Sequence, residues 1–329
     1  MKTVLLSHRL YKDGMEALDG KANVVITDNG DSDEILPQLR QADGFILRIG
    51  KIDRKAIEAC DRLQVIARPG VGVDSVDIAA ATERGIPVVV APGANSRSVA
   101  EHAVALMFAI GKNLIDSDRE VRKGNFQVRE KYATQELTGA TAGVVGFGAI
   151  GRHAAQMLSG CGLNVVVFDP FVPAEKVEAA GYSPATSLEA LLKIADVVSL
   201  HMPATPETRD MINADRLAVM KPNAFLINTS RGELIDEAAL CDALREHRIA
   251  GAGLDVLKQE PMAADHPLYA LENFVVSPHL AAQTPQATAR AVVMAVNGTL
   301  ATLDGKRWPH VFNPDVYMHP NWAGAEMAS

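Results

Sequence analysis

Cysteine is scarce in this chain. Its three copies, Cys60, Cys161 and Cys241, are scattered through 329 residues, with no Cys-x-x-Cys pair and no histidines at ligand spacing beside them. That excludes a disulfide framework and a zinc site, so no metal is expected, and free thiols suit a reducing cytoplasm. Positive charge is not in excess either. Lysine and arginine total 32 against 40 acidic residues, a formal net charge of −8. This argues against nucleic acid or an anionic membrane surface as the main partner, while leaving room for a local basic pocket. Long apolar runs are also missing. The longest, HAVALMFAI at 102–110, falls far short of the roughly 20 residues that a bilayer requires. The opening MKTVLLSHRL turns polar directly after VLL, so it reads as a first strand and not as a signal peptide. A soluble, cytoplasmic protein is the expectation.

What is present is alternation. TVLLS (3–7), NVVIT (23–27), GFILR (44–48), VIAR (65–68) and VVV (88–90) read as strands separated by amphipathic helices. After the turn PGANS, Ser98-Val99-Ala100-Glu101 reads as a capping box opening a long helix to about Arg122. A second series follows: AGVVGFG (142–148), NVVVFD (164–169), DVVSL (196–200), AFLIN (224–228), AGLDV (252–256) and FVVSP (274–278). The stretch 283–305 is helical and too long for a simple crossover, and the tail beyond Gly305 reads as irregular. Such a pattern predicts an α/β protein with two doubly wound parallel-sheet domains. One is a flavodoxin-like substrate domain from 1–97 plus 288–329, the other a Rossmann nucleotide-binding domain at 98–287, with ligands expected in a cleft between them.

Gly146-Phe147-Gly148-Ala149-Ile150-Gly151 is a G-x-G-x-x-G, a weak signal alone. Its setting strengthens it, with a buried strand before it, a helix after it and Asp169 closing the next strand. Gly146 permits a tight turn, Gly148 lets backbone approach a pyrophosphate, and Gly151 lets the helix pack close with its N–H groups facing the anion. Asp169 can accept both ribose hydroxyls and would repel a 2′-phosphate, and Pro170 supplies no cation to offset that repulsion. The cofactor expected is NAD.

Three ionisable residues each follow a strand of the second series: Arg231 after AFLINTS, Glu260 in LDVLKQEP and His279 in VVSPHLAAQT. Strand carboxyl ends of an open parallel sheet share one edge, so the three can converge there. Moving a hydride to or from a secondary carbinol also moves a proton, which histidine suits at neutral pH. A carboxylate on its far nitrogen fixes the tautomer. A guanidinium can clamp a carboxylate bidentately and polarise the adjacent carbonyl. Each residue alone reads more readily as an ordinary loop, turn or surface residue.

The stretches RPGVGVDSVDIAAATERGIPVVVAPGANSRSVAEHAVAL, GVVGFGAIGR, LHMPATPETRDMI, LINTSRGELIDEAAL, GAGLDV…QEP and SPHLAAQT occur in order across nearly the whole chain. In them the chain resembles the D-isomer-specific 2-hydroxyacid dehydrogenases, and within that family the phosphoglycerate dehydrogenases. The resemblance implies that Arg231, Glu260 and His279 are catalytic and that Asp255 contacts the nicotinamide carboxamide. It also implies that His201, Pro203 and Thr229 line the cofactor site, and that the Val71 and Gly72 amides hold the substrate carboxylate, with Asn95 on the substrate side. Ala281 and Ala282 stand where glycines are frequent, slightly narrowing the space beside His279. No regulatory domain follows residue 305, so serine feedback is not expected.

Arg48 and Arg68 end strands of the first series. Their spacing leaves open a role as exposed salt-bridge partners. The resemblance matches them to phosphate-contacting arginines, although Ile49 replaces a serine common beside the first. The expected substrate is a small 2-hydroxy or 2-keto acid with an anionic tail, 3-phosphoglycerate first and 3-sulfolactate next. Truncating either arginine is expected to hurt that substrate selectively. A glyoxylate/hydroxypyruvate reductase is the alternative enzyme, and an NAD-sensing corepressor-like binding protein the alternative of another class. A formate dehydrogenase is disfavoured because that branch pairs its histidine with glutamine. The apolar stripe of the 98–122 helix suits either core or a dimer interface, and the resemblance implies a homodimer.

Overall fold

A computed structural model describes residues 1–132 and 134–328. The chain divides into two compact units, Met1–Asn95 together with the stretch from Gln283 onward, and Ser96–Ala282.

The first unit is built on five strands: β1 (Thr3–Leu6), β2 (Asn23–Ile26), β3 (Gly44–Ile46), β4 (Val65–Ala67) and β5 (Val88–Val89). All pair in parallel in the order β2-β1-β3-β4-β5, which is the flavodoxin-like order. Both faces of the sheet are covered, which is why its strands read as continuous apolar runs. The two-residue period sends Leu5, Phe45, Ile66 and Val88 into one core. It sends Val4, Leu6, Ile46, Val65 and Val89 into the other, against Val292, Ala295 and Val296. Those three belong to the Pro285–Leu303 helix, which Thr284 caps by accepting from the Ala287 N–H. The irregular tail is nonetheless fastened: the Asn313 side chain accepts from the Val88 N–H, and Trp322 Nε1 donates to the Gly85 carbonyl, each at 2.8 Å.

The second unit has seven parallel strands: β6 (Thr141–Val145), β7 (Asn164–Phe168), β8 (Ser183–Pro184), β9 (Val197–Leu200), β10 (Phe225–Asn228), β11 (Gly251–Leu254) and β12 (Phe274–Val276). Their order, β12-β11-β10-β9-β6-β7-β8, is the Rossmann order with one further strand at the edge. The strand order reverses between β6 and β9, so the crevice outside their carboxyl ends is where such a sheet takes a ligand. Gly146 follows one of these strands and His201 the other.

Two local expectations are corrected. The single helix over 98–122 is two helices, Ser96–Gly111 and Leu114–Arg122, bent by 59°. Asn113 takes φ +48 at the break, a left-handed conformation that asparagine tolerates better than most residues. The helix also begins before the supposed capping box. Ser98 is buried inside it, and Glu101 pairs with Arg97 at 3.1 Å. The edge strand β8 has no apolar pattern to betray it, and its proline is tolerated only because it lies at an edge. Among the described residues, no single helix is long and apolar enough to cross a membrane.

Candidate active site

The glycine loop between β6 and the Ala149–Gly160 helix has the geometry its spacing requires. Gly146 sits at φ +96, and a Cβ there would lie 2.5 Å from the His201 carbonyl oxygen. A side chain on Gly151 would overlap the Gly146 carbonyl. Gly148, the N-cap of the helix, faces open space: nothing lies within 4 Å of where its Cβ would be. A backbone that is tight on two sides and open on the third, at a helix amino terminus, is a cradle for a phosphate. Asp169 closes it. Its Oδ2 accepts from the Phe147 N–H at 2.7 Å and its Oδ1 from the Phe171 N–H at 2.8 Å, which fixes the carboxylate at the end of β7.

Just past the carboxyl ends of β9 and β10 are two buried polar atoms that meet no hydrogen-bond partner, His201 Nδ1 and Thr229 Oγ1. Buried polar atoms without partners are uncommon, and a bound ligand is one thing that completes their bonding. Burial lowers the His201 pKa to about 4, so at neutral pH the ring is uncharged. Its Nε2 lies 2.9 Å from Ser199 Oγ. Pro203 stands exposed on the following loop, which Thr208 closes by donating to the Pro203 carbonyl at 2.8 Å. Glycines, orphaned atoms and fixed carboxylate together fit a dinucleotide.

Arg231 follows β10 in a turn that Asn228 organises. Asn228 is fully buried; its Nδ2 donates to the Arg231 carbonyl at 2.8 Å and its Oδ1 accepts from the Ser230 N–H at 2.9 Å. Arg231 Nη1 donates to the Ser230 carbonyl at 2.8 Å. At Gly232 any side chain would overlap the backbone of Leu257 and Lys258. That close approach presses the Arg231 turn against the loop leading to Glu260. Asn228 and Gly232 carry functional geometry that the sequence reading did not single out. The Asn-x-Ser spacing of an Asx turn was the available signal for the first.

Glu260 and His279 meet. Glu260 Oε2 lies 2.7 Å from His279 Nδ1, and its Oε1 accepts from the Leu257 N–H at 2.9 Å. The two side chains are 37% and 50% exposed, open enough for a substrate to reach. Asp255, by contrast, is 1% exposed, and both its oxygens are occupied within the unit. Oδ1 accepts from Ser277 Oγ and the Leu280 N–H, and Oδ2 from the Ala281 N–H. Its partners are the loop that carries His279.

In the first unit, Arg48 and Arg68 part company. Arg48 is exposed, with Nη1 3.4 Å from the Arg9 carbonyl and its guanidinium 5.7 Å from the centre of the Tyr11 ring. Arg68 is drawn inward. Its Nη1 donates to the Leu47 and Arg48 carbonyls at 2.8 and 3.0 Å, and its Nε to the Gly72 carbonyl at 3.2 Å. Burial lowers its pKa. The residue braces the 68–73 loop. Asn95 Oδ1 is buried without a partner. No group of three or more histidine, cysteine, aspartate or glutamate residues among those described is placed to hold a metal.

Comparison with known proteins agrees with this geometry. Residues 104–281 match the family model described as D-isomer specific 2-hydroxyacid dehydrogenase, NAD binding domain. The D-3-phosphoglycerate dehydrogenase of Methanocaldococcus jannaschii is 37% identical over 314 residues, covering 95% of this chain and 60% of that protein. Among solved structures, the pyruvate reductase of Chlamydomonas reinhardtii is 33% identical with a TM-score of 0.80, covering 92% of this chain and 96% of that one. The NADPH-dependent glyoxylate/hydroxypyruvate reductase of Sinorhizobium meliloti is 28% identical with a TM-score of 0.85, covering 95% and 99%. The chain spans about 60% of the length of the curated relatives it matches. With a family model over more than half its residues, a glycine cradle fitting a nicotinamide dinucleotide and a Glu–His pair on the same sheet, this chain belongs to the D-isomer specific 2-hydroxyacid dehydrogenase family.

Proposed function

We propose that the protein is an NAD-dependent D-2-hydroxyacid dehydrogenase whose substrate is a small acid with an anionic tail. The observation carrying this is the 2.7 Å Glu260–His279 pair, set on the same parallel sheet as the dinucleotide cradle. A bound nicotinamide supplies or accepts the hydride. Gly146, Gly148, Ala149, Ile150, Gly151 and Asp169 hold the dinucleotide, with His201, Pro203 and Thr229 beside it. His279 gives a proton to the carbonyl oxygen in reduction and takes it back in oxidation. Glu260 on Nδ1 directs Nε2 to that task. Arg231 grips the acid and polarises its carbonyl, because a guanidinium presents several donors in one plane.

For the first unit the proposal is that the Val71 and Gly72 amides and Arg48 bind anionic groups of the substrate. Neither amide has an acceptor among the described residues. Arg68 supports this indirectly: by holding the Gly72 carbonyl it orients the adjoining peptides. This modifies the expectation of two equivalent arginines. A single tail-binding guanidinium is a weaker grip, which is the observation favouring a glyoxylate/hydroxypyruvate reductase as second reading. The test is kcat/KM for 3-phosphohydroxypyruvate, 3-sulfopyruvate, hydroxypyruvate and glyoxylate. Arg48→Ala is expected to cost an anionic-tailed acid about tenfold or more and glyoxylate less than about twofold, roughly one charge-assisted bond. Arg68→Ala is expected to impair all four alike. Preference for an uncharged tail in the unaltered protein would overturn the anionic tail in favour of the second reading, and equal losses with Arg48→Ala would remove Arg48 from the tail site.

The proposed assembly is a homodimer. The Leu114–Arg122 helix has no buried residue, and Leu114 and Phe126 are 58% and 68% exposed, with Ile115 and Val121 also exposed. Exposed apolar side chains of this kind suit a second copy. Phe126→Asp is expected to shift the sedimenting species from dimer to monomer, and a monomeric unaltered protein would exclude the assembly. The proposed compartment is the cytoplasm, in keeping with three free cysteines.

A further inference from the structure

We propose that His102 is a positioning residue: through Ser277 and Asp255 it fixes the strained backbone that aims His279. The inference rests on the reading of His279 as the proton donor.

His279 occupies φ +52, a left-handed conformation that a histidine adopts only where its surroundings impose it. Asp255 is prominent among these surroundings. The His279 N–H donates to the Asp255 carbonyl at 2.9 Å, and the next two amides, of Leu280 and Ala281, donate to the Asp255 carboxylate at 3.0 and 2.9 Å. The chain on both sides of the strained residue is therefore clipped to Asp255. A buried carboxylate is held in place only while its acceptor sites are filled.

The Asp255 carboxylate also accepts from Ser277, whose Oγ donates to Oδ1 at 2.5 Å. A carboxylate only accepts, so the single hydroxyl hydrogen of Ser277 is committed to it. His102 Nε2 lies 2.8 Å from the same Oγ and 3.5 Å from Asp255 Oδ1. With the Ser277 hydrogen already given, Ser277 can only accept from His102, so Nε2 carries the proton. The result is a directed chain from His102 N–H through Ser277 O–H to Asp255 and on to the amides beyond His279. Its first member comes from the Ser96–Gly111 helix, so a distant element sets the hydroxyl rotamer on which the loop depends. Without that donor the Ser277 oxygen keeps only its bond to Asp255, and the loop loses the contact that ties its carboxylate anchor to the helix.

The experiment compares His102→Ala, His102→Gln, Ser277→Ala and the His102→Ala/Ser277→Ala double variant in the full chain, with NADH and the best keto acid of the panel. Readouts are kcat, KM, NADH affinity and thermal midpoint. His102→Ala is expected to lower kcat about 10–100-fold, the scale of a roughly 1 Å misplacement, with NADH affinity within about threefold. Glutamine restores a side-chain N–H donor, so His102→Gln is expected to recover most of kcat. The double variant is expected to be no slower than the slower single one, since both break one chain. Turnover within about twofold for His102→Ala, additive losses in the double variant, or glutamine as impaired as alanine with a matching drop in midpoint would each overturn the inference. If His102→Ala does not fold, Ser277→Ala carries the test, with the same kcat loss expected and a twofold change or less overturning it. His279→Ala separates the two levels. Normal turnover there would defeat the reading of His279 itself, whereas collapse there beside an unaffected His102→Ala would defeat this inference alone.

Discussion

His279→Ala is expected to lower kcat by roughly 10²–10⁴-fold while leaving NADH affinity nearly unchanged. The size follows from the role. Without a placed acid, the alkoxide formed as hydride arrives must take its proton from solvent. The insensitivity of binding follows from placement, because the glycine loop, Asp169, His201 and Thr229 are supported by other elements of the sheet. His279 hangs on the loop after β12 and meets Glu260. Arg231→Ala should differ in kind, raising KM and lowering kcat together, since one guanidinium both binds the acid and polarises its carbonyl. Near-normal turnover in His279→Ala would mean that another group moves the proton and that the Glu260–His279 pair is structural.

The second large effect is cofactor choice. NADH is expected to be preferred over NADPH by about a hundredfold in kcat/KM, on the order of 2–3 kcal/mol. Asp169 is anchored by the Phe147 and Phe171 amides, so its charge cannot simply swing away from a 2′-phosphate. Arg152 donates from Nε to the Phe147 carbonyl at 2.9 Å and lies over the Phe147 ring, which ties part of its guanidinium to the glycine loop. The fold does not make this choice by itself, since one solved relative is NADPH-dependent. Asp169→Ala should narrow the gap chiefly by improving NADPH. Equal efficiency with both cofactors in the unaltered protein would remove the assignment.

Much of this was legible in the sequence because it depends on local order. Parallel strands buried on both faces show as apolar runs, and a glycine loop between strand and helix fixes its own geometry. Arg231, Glu260 and His279 each follow a strand, and strand ends of a parallel sheet share an edge. What was hidden depends on contacts between distant segments. Asn113 breaks a helix whose apolar pattern continues through it, since a left-handed turn leaves no periodic trace. No spacing rule shows that Leu47, Arg48 and Gly72 offer their carbonyls to Arg68. Gly232 seems an ordinary loop glycine until the 257–258 backbone packs against it. The His102–Ser277 contact joins residues of different blocks, and no spacing rule links them.

The most direct test of the account is whether the purified protein oxidises NADH in strict dependence on an added 2-keto acid, followed at the nicotinamide absorbance, with the product's configuration determined. The account predicts turnover with at least one keto acid of the panel, a D-2-hydroxy acid as sole product, and loss of that turnover in His279→Ala. An L product, or tight NADH binding with no turnover of any keto acid in either direction, would contradict it and leave a dinucleotide-sensing protein on the same fold.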